Sequence, residues 1–352
     1  MANARSVIIN LVANDRVSET VKGVGKQFDK LNQKLKDLSG PAMTAAGAAA
    51  GAAFASGLAG AVKLDSARGR LEAQLGLTKE QSKVAGDVAG KLYASAYGES
   101  MEDVQTAITS VIQNMDGMRD ASASALQQIT ARAMDVATVM DEEVGSVTRA
   151  VSQMMRTGLA KNAQEAFDII TRGTQLGANK AQDLLDTFNE YGTQFRNLGL
   201  SGKQAMGLIA QGLQAGARDA DVVADTLKEF SIEAVAGSKR IRDAYKELGI
   251  DADKMFKMLG QGGPAAAKAL DITLDRLRAV EDPVERNALA VEFFGTKAED
   301  LGQALYALDP SSAVKALGDV SGAADQAGKA LHETTEAQFK RFVRTLQQDA
   351  MT

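Results

Sequence analysis

Apolar positions recur at helical spacing through most of this chain, and the exceptions divide it. Ser6 to Val12 (SVIINLV) is short and β-branched and stops at the turn-like Ala13-Asn14-Asp15. That predicts one short strand, which needs a partner strand from elsewhere, such as another copy. From Arg16 to Leu38 the apolar residues are Val17, Val21, Val24, Phe28, Leu31, Leu35 and Leu38. Their alternating steps of four and three are a heptad seam, while Lys22, Lys26, Lys30 and Lys34 repeat on another face. Two readings stand: an amphipathic helix lying on a core, or a short coiled coil joining copies. Gly40-Pro41 ends this element.

Leu38 to Val62 then runs for 25 residues without a charge. The length suffices to cross a bilayer, at about 20 residues for a helix. Only Leu38, Met43, Phe54, Leu58 and Val62 are large and apolar, so insertion gains only ~2–3 kcal/mol. Gly47 and Gly51 form a GxxxG step, and Ala53 and Gly57 repeat the small-residue spacing. Close packing against other helices suits this stretch best; conditional membrane insertion or a linker role are the alternatives. The residues that would carry packing or insertion are Gly47, Gly51, Phe54, Gly57, Leu58 and Gly60.

After Lys63 the texture becomes a series of short amphipathic helices whose joints repeat. Leu75-Gly76-Leu77-Thr78 is followed by Gln81, and Leu198-Gly199-Leu200-Ser201 by Gln204. Leu248-Gly249-Ile250-Asp251 has the same form, and Thr157-Gly158-Leu159 runs into Asn162 and Glu165. In each, glycine takes the left-handed position that stops a helix and the next aliphatic residue packs back over the last turn. The polar residue then caps the following helix, with a capping box where Gln or Glu follows at the third position. Between joints, Val104, Ile108, Val111, Ile112 and Met115 share a face. So do Leu126, Ile129, Ala133, Val136 and Met140, and so do Leu184, Leu185, Phe188, Tyr191 and Phe195. The openings LGLTKEQ and LGLSGKQ suggest a duplicated helical hairpin. Further on, Gly262-Gly263 breaks the chain, Pro264 opens a helix to Val280, and Asp282-Pro283 opens another that ends at Gly295. Asp309-Pro310 restarts the chain, and Ser311 to Thr352 reads as polar helices cut without a final cap, as in part of a longer protein.

The expected fold is therefore all-α. It comprises the strand and coiled-coil-like helix (1–40), the Ala/Gly-rich apolar helix (41–64), an array of short helical hairpins (65–310) and polar helices (311–352). Composition limits what that array can be. Aromatic residues make up 5% and Trp is absent, so the core must come from Ala, Leu, Val, Ile and Met, and weak packing is expected. The 33 glycines point the same way. Cysteine is absent, which excludes disulfides and thiolate metal sites. The net charge of −5 is uneven: residues 1–70 carry ten Lys/Arg against five Asp/Glu, the rest 30 against 40. A mildly basic head on an acidic body implies an acidic neighbour for the head, and is too weak for specific nucleic-acid recognition. The opening MANARSVIIN has no long apolar run and is not a secretion signal.

No reacting constellation emerges. His332, the sole histidine, sits on a polar helix and reads as solvated. Gly199 to Lys203 lacks the first glycine and the final Ser/Thr of a phosphate-binding loop, and Gly23-Val24-Gly25 lacks the third glycine of a dinucleotide turn. Asp251-Ala252-Asp253 begins like a calcium loop, but Met255 and Lys257 hold later ligand positions. Asp141, Glu142 and Glu143 sit where a helix begins and favour its dipole. Nothing predicts an enzyme, a metal or a cofactor.

The order of several stretches resembles one family. After the short strand and helix come the uncharged Ala/Gly segment running into Lys63-Leu64-Asp65-Ser66-Ala67, then Gln74 to Thr78 and Ala96-Tyr97-Gly98-Glu99-Ser100. Later come Leu248-Gly249-Ile250, Gly262-Gly263 and Phe293 to Leu301 (FFGTKAEDL). Over residues 1–310 the chain resembles the N-terminal portion of tail tape measure proteins of long-tailed bacteriophages. The resemblance implies a structural role: several parallel copies fill the tail tube lumen, set its length during assembly and leave ahead of the DNA. It implies as partners the tail tube and tail assembly chaperone proteins, and contact with the host membrane through residues 38–62. It places the chain in the virion. The seam Val17, Val21, Val24, Phe28, Leu31 and Leu35 would join copies. A pore-forming protein acting through residues 38–62 and a coiled-coil scaffold are the competing readings.

Overall fold

The computed structural model describes residues 69–349. The predicted strand, the seam helix and the Ala/Gly-rich stretch lie outside the described residues. Within them every regular element is helical.

After a helical turn pair over 69–75 come α1 (Lys79–Ala94), α2 (Met101–Asn114), α3 (Ala123–Met140) and α4 (Val144–Arg156). They are followed by α5 (Ala163–Gln175), α6 (Leu184–Asn197), α7 (Gly202–Gln214) and α8 (Ala220–Glu233). Each of these packs on its second neighbour: α1 on α3, α3 on α5, α5 on α7, and likewise α2 on α4, α4 on α6, α6 on α8. Odd and even helices thus form two facing layers, the arrangement of stacked helical hairpins. The apolar faces read from periodicity meet between the layers: Val104, Ile108, Val111, Phe188 and Phe195 are wholly buried.

The joints explain why the stack is regular. Gly76, Gly158, Gly199 and Gly249 have φ between +59° and +72°. At the last three, the residue after the glycine donates its N–H back to the helix: Leu159 to Met154 O, Leu200 to Phe195 O, Ile250 to Tyr245 O, at 2.8–2.9 Å. These are Schellman turns. Thr78 and Ser201 then close the expected capping boxes with Gln81 and Gln204. At Asn162 the box is displaced by one residue: Asn162 accepts from the Glu165 N–H, while the Glu165 carboxylate accepts from Lys161 N–H. Gly199 is also a close approach, because a Cβ there would collide with the Gly263 carbonyl.

Beyond the layers lie α9 (Lys239–Glu247), α10 (Ala252–Gln261), α11 (Gly263–Arg278), α12 (Pro283–Phe294) and α13 (Lys297–Leu301), with a 3-10 turn at Gly302–Ala307. Both Gly262 and Gly263 have positive φ, as a chain break there requires, and α11 ends two residues before Val280. α12 and α13 cover α8, and Phe230, Phe293, Phe294 and Tyr245 interlock there. The core is thus not limited to Ala, Leu, Val, Ile and Met: Tyr245 and six phenylalanines are wholly buried in it.

The last elements return along the odd layer. α14 (Ala313–Leu317) lies on α7, α15 (Ala323–His332) on α5 and α3, and α16 (Thr335–Asp349) on α1. Packing runs straight across residue 310: Ala313, Leu317, Val320 and Ala324 join the same hydrophobic cluster as Leu71. The segment is a strap laid from one end of the stack to the other.

Candidate functional site

The most concentrated polar chemistry lies where the strap crosses α1 and α3. α1 ends at Ala94, Ala96 with a φ of +70° turns the chain without a glycine, and Tyr97 N–H donates to Leu92 O. Ser100 restarts it as a capping-box residue with Asp103. This loop holds the Tyr97 ring over α3. On α3, Arg132 and Asp135 face the strap one turn apart. The Arg132 guanidinium grips Asp325 through two hydrogen bonds of 2.7 and 3.1 Å. His332 Nε2 lies 2.7 Å from Asp135 Oδ1, and its ring sits 4.3 Å from that of Tyr97. The Tyr97 hydroxyl donates to the other Asp135 oxygen at 3.4 Å. Burial, and then the Asp135 charge, push that hydroxyl above the ordinary phenol range. A Cβ at Gly328 would collide with the Asp135 carboxylate, so α15 can sit this close only with glycine there.

His332 is therefore not solvated, as its polar neighbours suggested; its side chain is 18% exposed and paired. Its partners lie 197 and 235 residues away in sequence, and no local pattern announces them. Asp141 also departs from expectation: at φ +57° it closes α3, and Glu143 is the residue that precedes α4.

Two further groups fasten the strap. Asp168 on α5, almost wholly buried, accepts the Gly322 and Ala324 N–H groups at 3.0 Å, capping α15 from another helix. Arg344 on α16 donates to the carbonyls of Tyr93, Tyr97, Gly98 and Glu99 at 2.9–3.2 Å and stands 4.0 Å over the Tyr93 ring. The Tyr93 carbonyl belongs to the last turn of α1, and the other three lie in the loop that follows it. Lys340 pairs with Glu99 at 2.8 Å.

Between these elements opens a cleft of about 620 Å³, bordered by Glu99, Asp135, Asp141, Glu142, Glu336 and Lys340 among others. Chemically it is a carboxylate-rich hollow. Its histidine and tyrosine both serve Asp135, and Thr138 and Thr334 are the hydroxyl side chains nearby. Among the described residues no cluster of three or more His, Asp or Glu is placed to hold a metal ion. The arrangement binds one helix to others.

The residues singled out for packing or insertion (Gly47, Gly51, Phe54, Gly57, Leu58, Gly60) lie outside the described residues. So do the seam residues Val17, Val21, Val24, Phe28, Leu31 and Leu35. Among the described residues no helix is long and apolar enough to cross a membrane.

Comparison with known proteins supplies what the site does not. The chain is 47% identical over 345 residues, 98% of its length, to a probable tape measure protein of Streptomyces phage phiC31. It is 37% identical over 227 residues to the uncharacterized protein YqbO of Bacillus subtilis (strain 168). It spans about half of the first relative (47%) and 14% of the second. No solved structure matches it. Residues 91–295, more than half of the chain, match the family described as phage-related minor tail protein. Helices α2 to α8 of the two layers and α9 to α12 beyond them lie in that matched region, and the chain belongs to the phage-related minor tail protein family.

Proposed function

We propose that this chain is part of a tail tape measure protein. In this reading it is a structural virion component that occupies the tail tube, sets tail length during assembly and leaves ahead of the genome. The observation that carries the reading is the 47% identity, sustained over nearly the whole chain, to a relative named a probable tape measure protein. Several parallel copies would share the lumen, with the tube and its assembly chaperones as partners and the host membrane reached at infection.

The fold gives this reading a physical condition. As one continuous helix residues 69–349 would extend ~420 Å, at ~1.5 Å per residue. Folded as a stack, a chain of this length has a radius of gyration of only ~19 Å. To contribute length in proportion to sequence, the stack must open inside the tube. Its glycine joints are the places where neighbouring helices can separate or align.

A tandem second copy of residues 69–349, inserted in the encoding phage, tests both parts. The expected result is a tail longer by ~420 Å in electron micrographs, as continuous helix requires. Tails of unchanged length, with the enlarged chain detected in purified virions, would overturn the length-setting role. Absence of the unaltered chain from wild-type virions by mass spectrometry would overturn the virion role.

A further inference from the structure

α16 is mounted with its apolar side outward. Ala337, Lys340 and Arg344, in steps of three and four, face the stack, and Arg344 is only 7% exposed. Phe339 and Phe342 fall on the opposite side and are 67% and 61% exposed. Elsewhere in the described residues Phe167, Phe188, Phe195, Phe230, Phe293 and Phe294 are wholly buried. A helix that turns its arginine inward and two phenylalanines outward presents a surface made for a partner.

Three observations identify the occupant. The rim of the adjoining cleft carries Glu336 of α16 with Asp141 and Glu142 after α3, and its positive groups are Lys340, already paired with Glu99, and the neighbouring Arg341. Residues 16–38 of this chain carry a matching pattern in sequence, an apolar seam flanked by Lys22, Lys26, Lys30 and Lys34. The attachment point is also favourable. The first described residues lie against α2, where Arg70 pairs with Glu102 at 2.6 Å, and α16 lies on α1. Residues 39–68 can span ~100 Å when extended, so reach imposes no limit.

We propose that the outward phenylalanine face of α16 and the carboxylate rim beside it form a docking site for residues 16–38 of the same chain. Apolar contact with Phe339 and Phe342 would supply the attraction, and the lysines against Glu336, Asp141 and Glu142 the orientation. While docked, the head has its seam covered and is unavailable to join copies; released, it is free to do so.

The absence of cysteine makes the test direct. Asn32→Cys is combined in the full chain with Gln338→Cys, beside the exposed phenylalanines, or with Val284→Cys, an exposed position on α12. Under mild oxidation the 32–338 disulfide should form within one chain at least ~10-fold faster than 32–284, as effective concentration dictates. Adding Phe339→Asp and Phe342→Asp should remove that preference, with circular dichroism unchanged because both side chains lie outside the core. Equal rates for the two pairs, products limited to 32–32 dimers, or a 32–338 bond found only between copies would each overturn the proposal. So would a preference that survives the two Asp substitutions.

Discussion

The interior around α8 and the strap above α3 are closed by opposite means. At α8, Phe230 stacks on Phe294 with ring centroids 5.1 Å apart, and Tyr245 meets Phe293 at 4.7 Å. The contact is apolar, non-directional and continuous with the rest of the core. At α3, small residues let α15 approach, and Arg132–Asp325, His332–Asp135 and Asp168 hold it by directed bonds. The first region gains from every square ångström it buries. The second depends on a few directed groups, each of which leaves its partner unpaired when removed. The strap should therefore open locally while the aromatic interior opens only with the whole fold.

Breaking the aromatic side should cost most. Phe230→Ala empties a site with no solvent exposure, and a loss of about 3–5 kcal/mol is expected from chemical denaturation. The whole transition should shift, with hydrogen exchange accelerated throughout. Next comes the close approach of the strap. Gly328→Ala forces a methyl against Asp135, and α15 must lift, for about 1–3 kcal/mol. Exchange should rise in α15 and α16 and stay unchanged in α6 to α8. An equal rise in both regions would erase the distinction between them.

The same contrast decides how much was legible in the sequence. The apolar faces of α2 and α6 were visible because burial imposes a 3.6-residue period on the residues themselves. The glycine joints were visible because few residues accept positive φ at a helix end. Ala96 and Asp141 make the same turn without glycine, and so escaped notice. The strap escaped for a different reason. Arg344 is held by main-chain carbonyls, which leave no mark in a sequence, and Asp135 meets His332 across 197 residues. Residues 311–352 read as polar partly because α16 turns Lys340 and Arg344 inward. Ala313, Leu317, Val320 and Ala324 are too small and sparse to suggest a share in the core. The aromatic interior was underestimated because composition counts residues without saying where they gather.

His332→Ala sharpens the comparison at smaller scale. It removes the 2.7 Å partner of Asp135 and leaves only the longer bond from Tyr97. The expected loss is about 1–2 kcal/mol, carried by the strap alone. Limited proteolysis should cut near Glu333 and Thr334 in the variant, with the α6 to α8 region resistant. Cleavage spread evenly over the chain would mean that strap and interior open together.

The smallest effect tests whether the strap's ion pair carries the pH dependence its geometry implies. The hydrogen bond from Arg132 holds the Asp325 carboxyl below the ordinary carboxylate range, against the opposing effect of burial. In the unfolded chain the group returns to about 3.9. The pair's contribution is therefore complete above about pH 4 and is lost as pH falls through the lower, folded value. Because Asp325 is 38% exposed, solvent screening keeps that contribution to about 1 kcal/mol or less. Asp219, Asp225 and Asp309 are also held low, so acid destabilises the fold with or without Asp325. The informative quantity is the difference between wild type and Asp325→Asn. It should be constant from neutrality to about pH 5 and shrink as pH falls further, through the unfolded and then the lower, folded value. A difference that persists undiminished in acid would mean that α15 is held at this point by shape rather than charge.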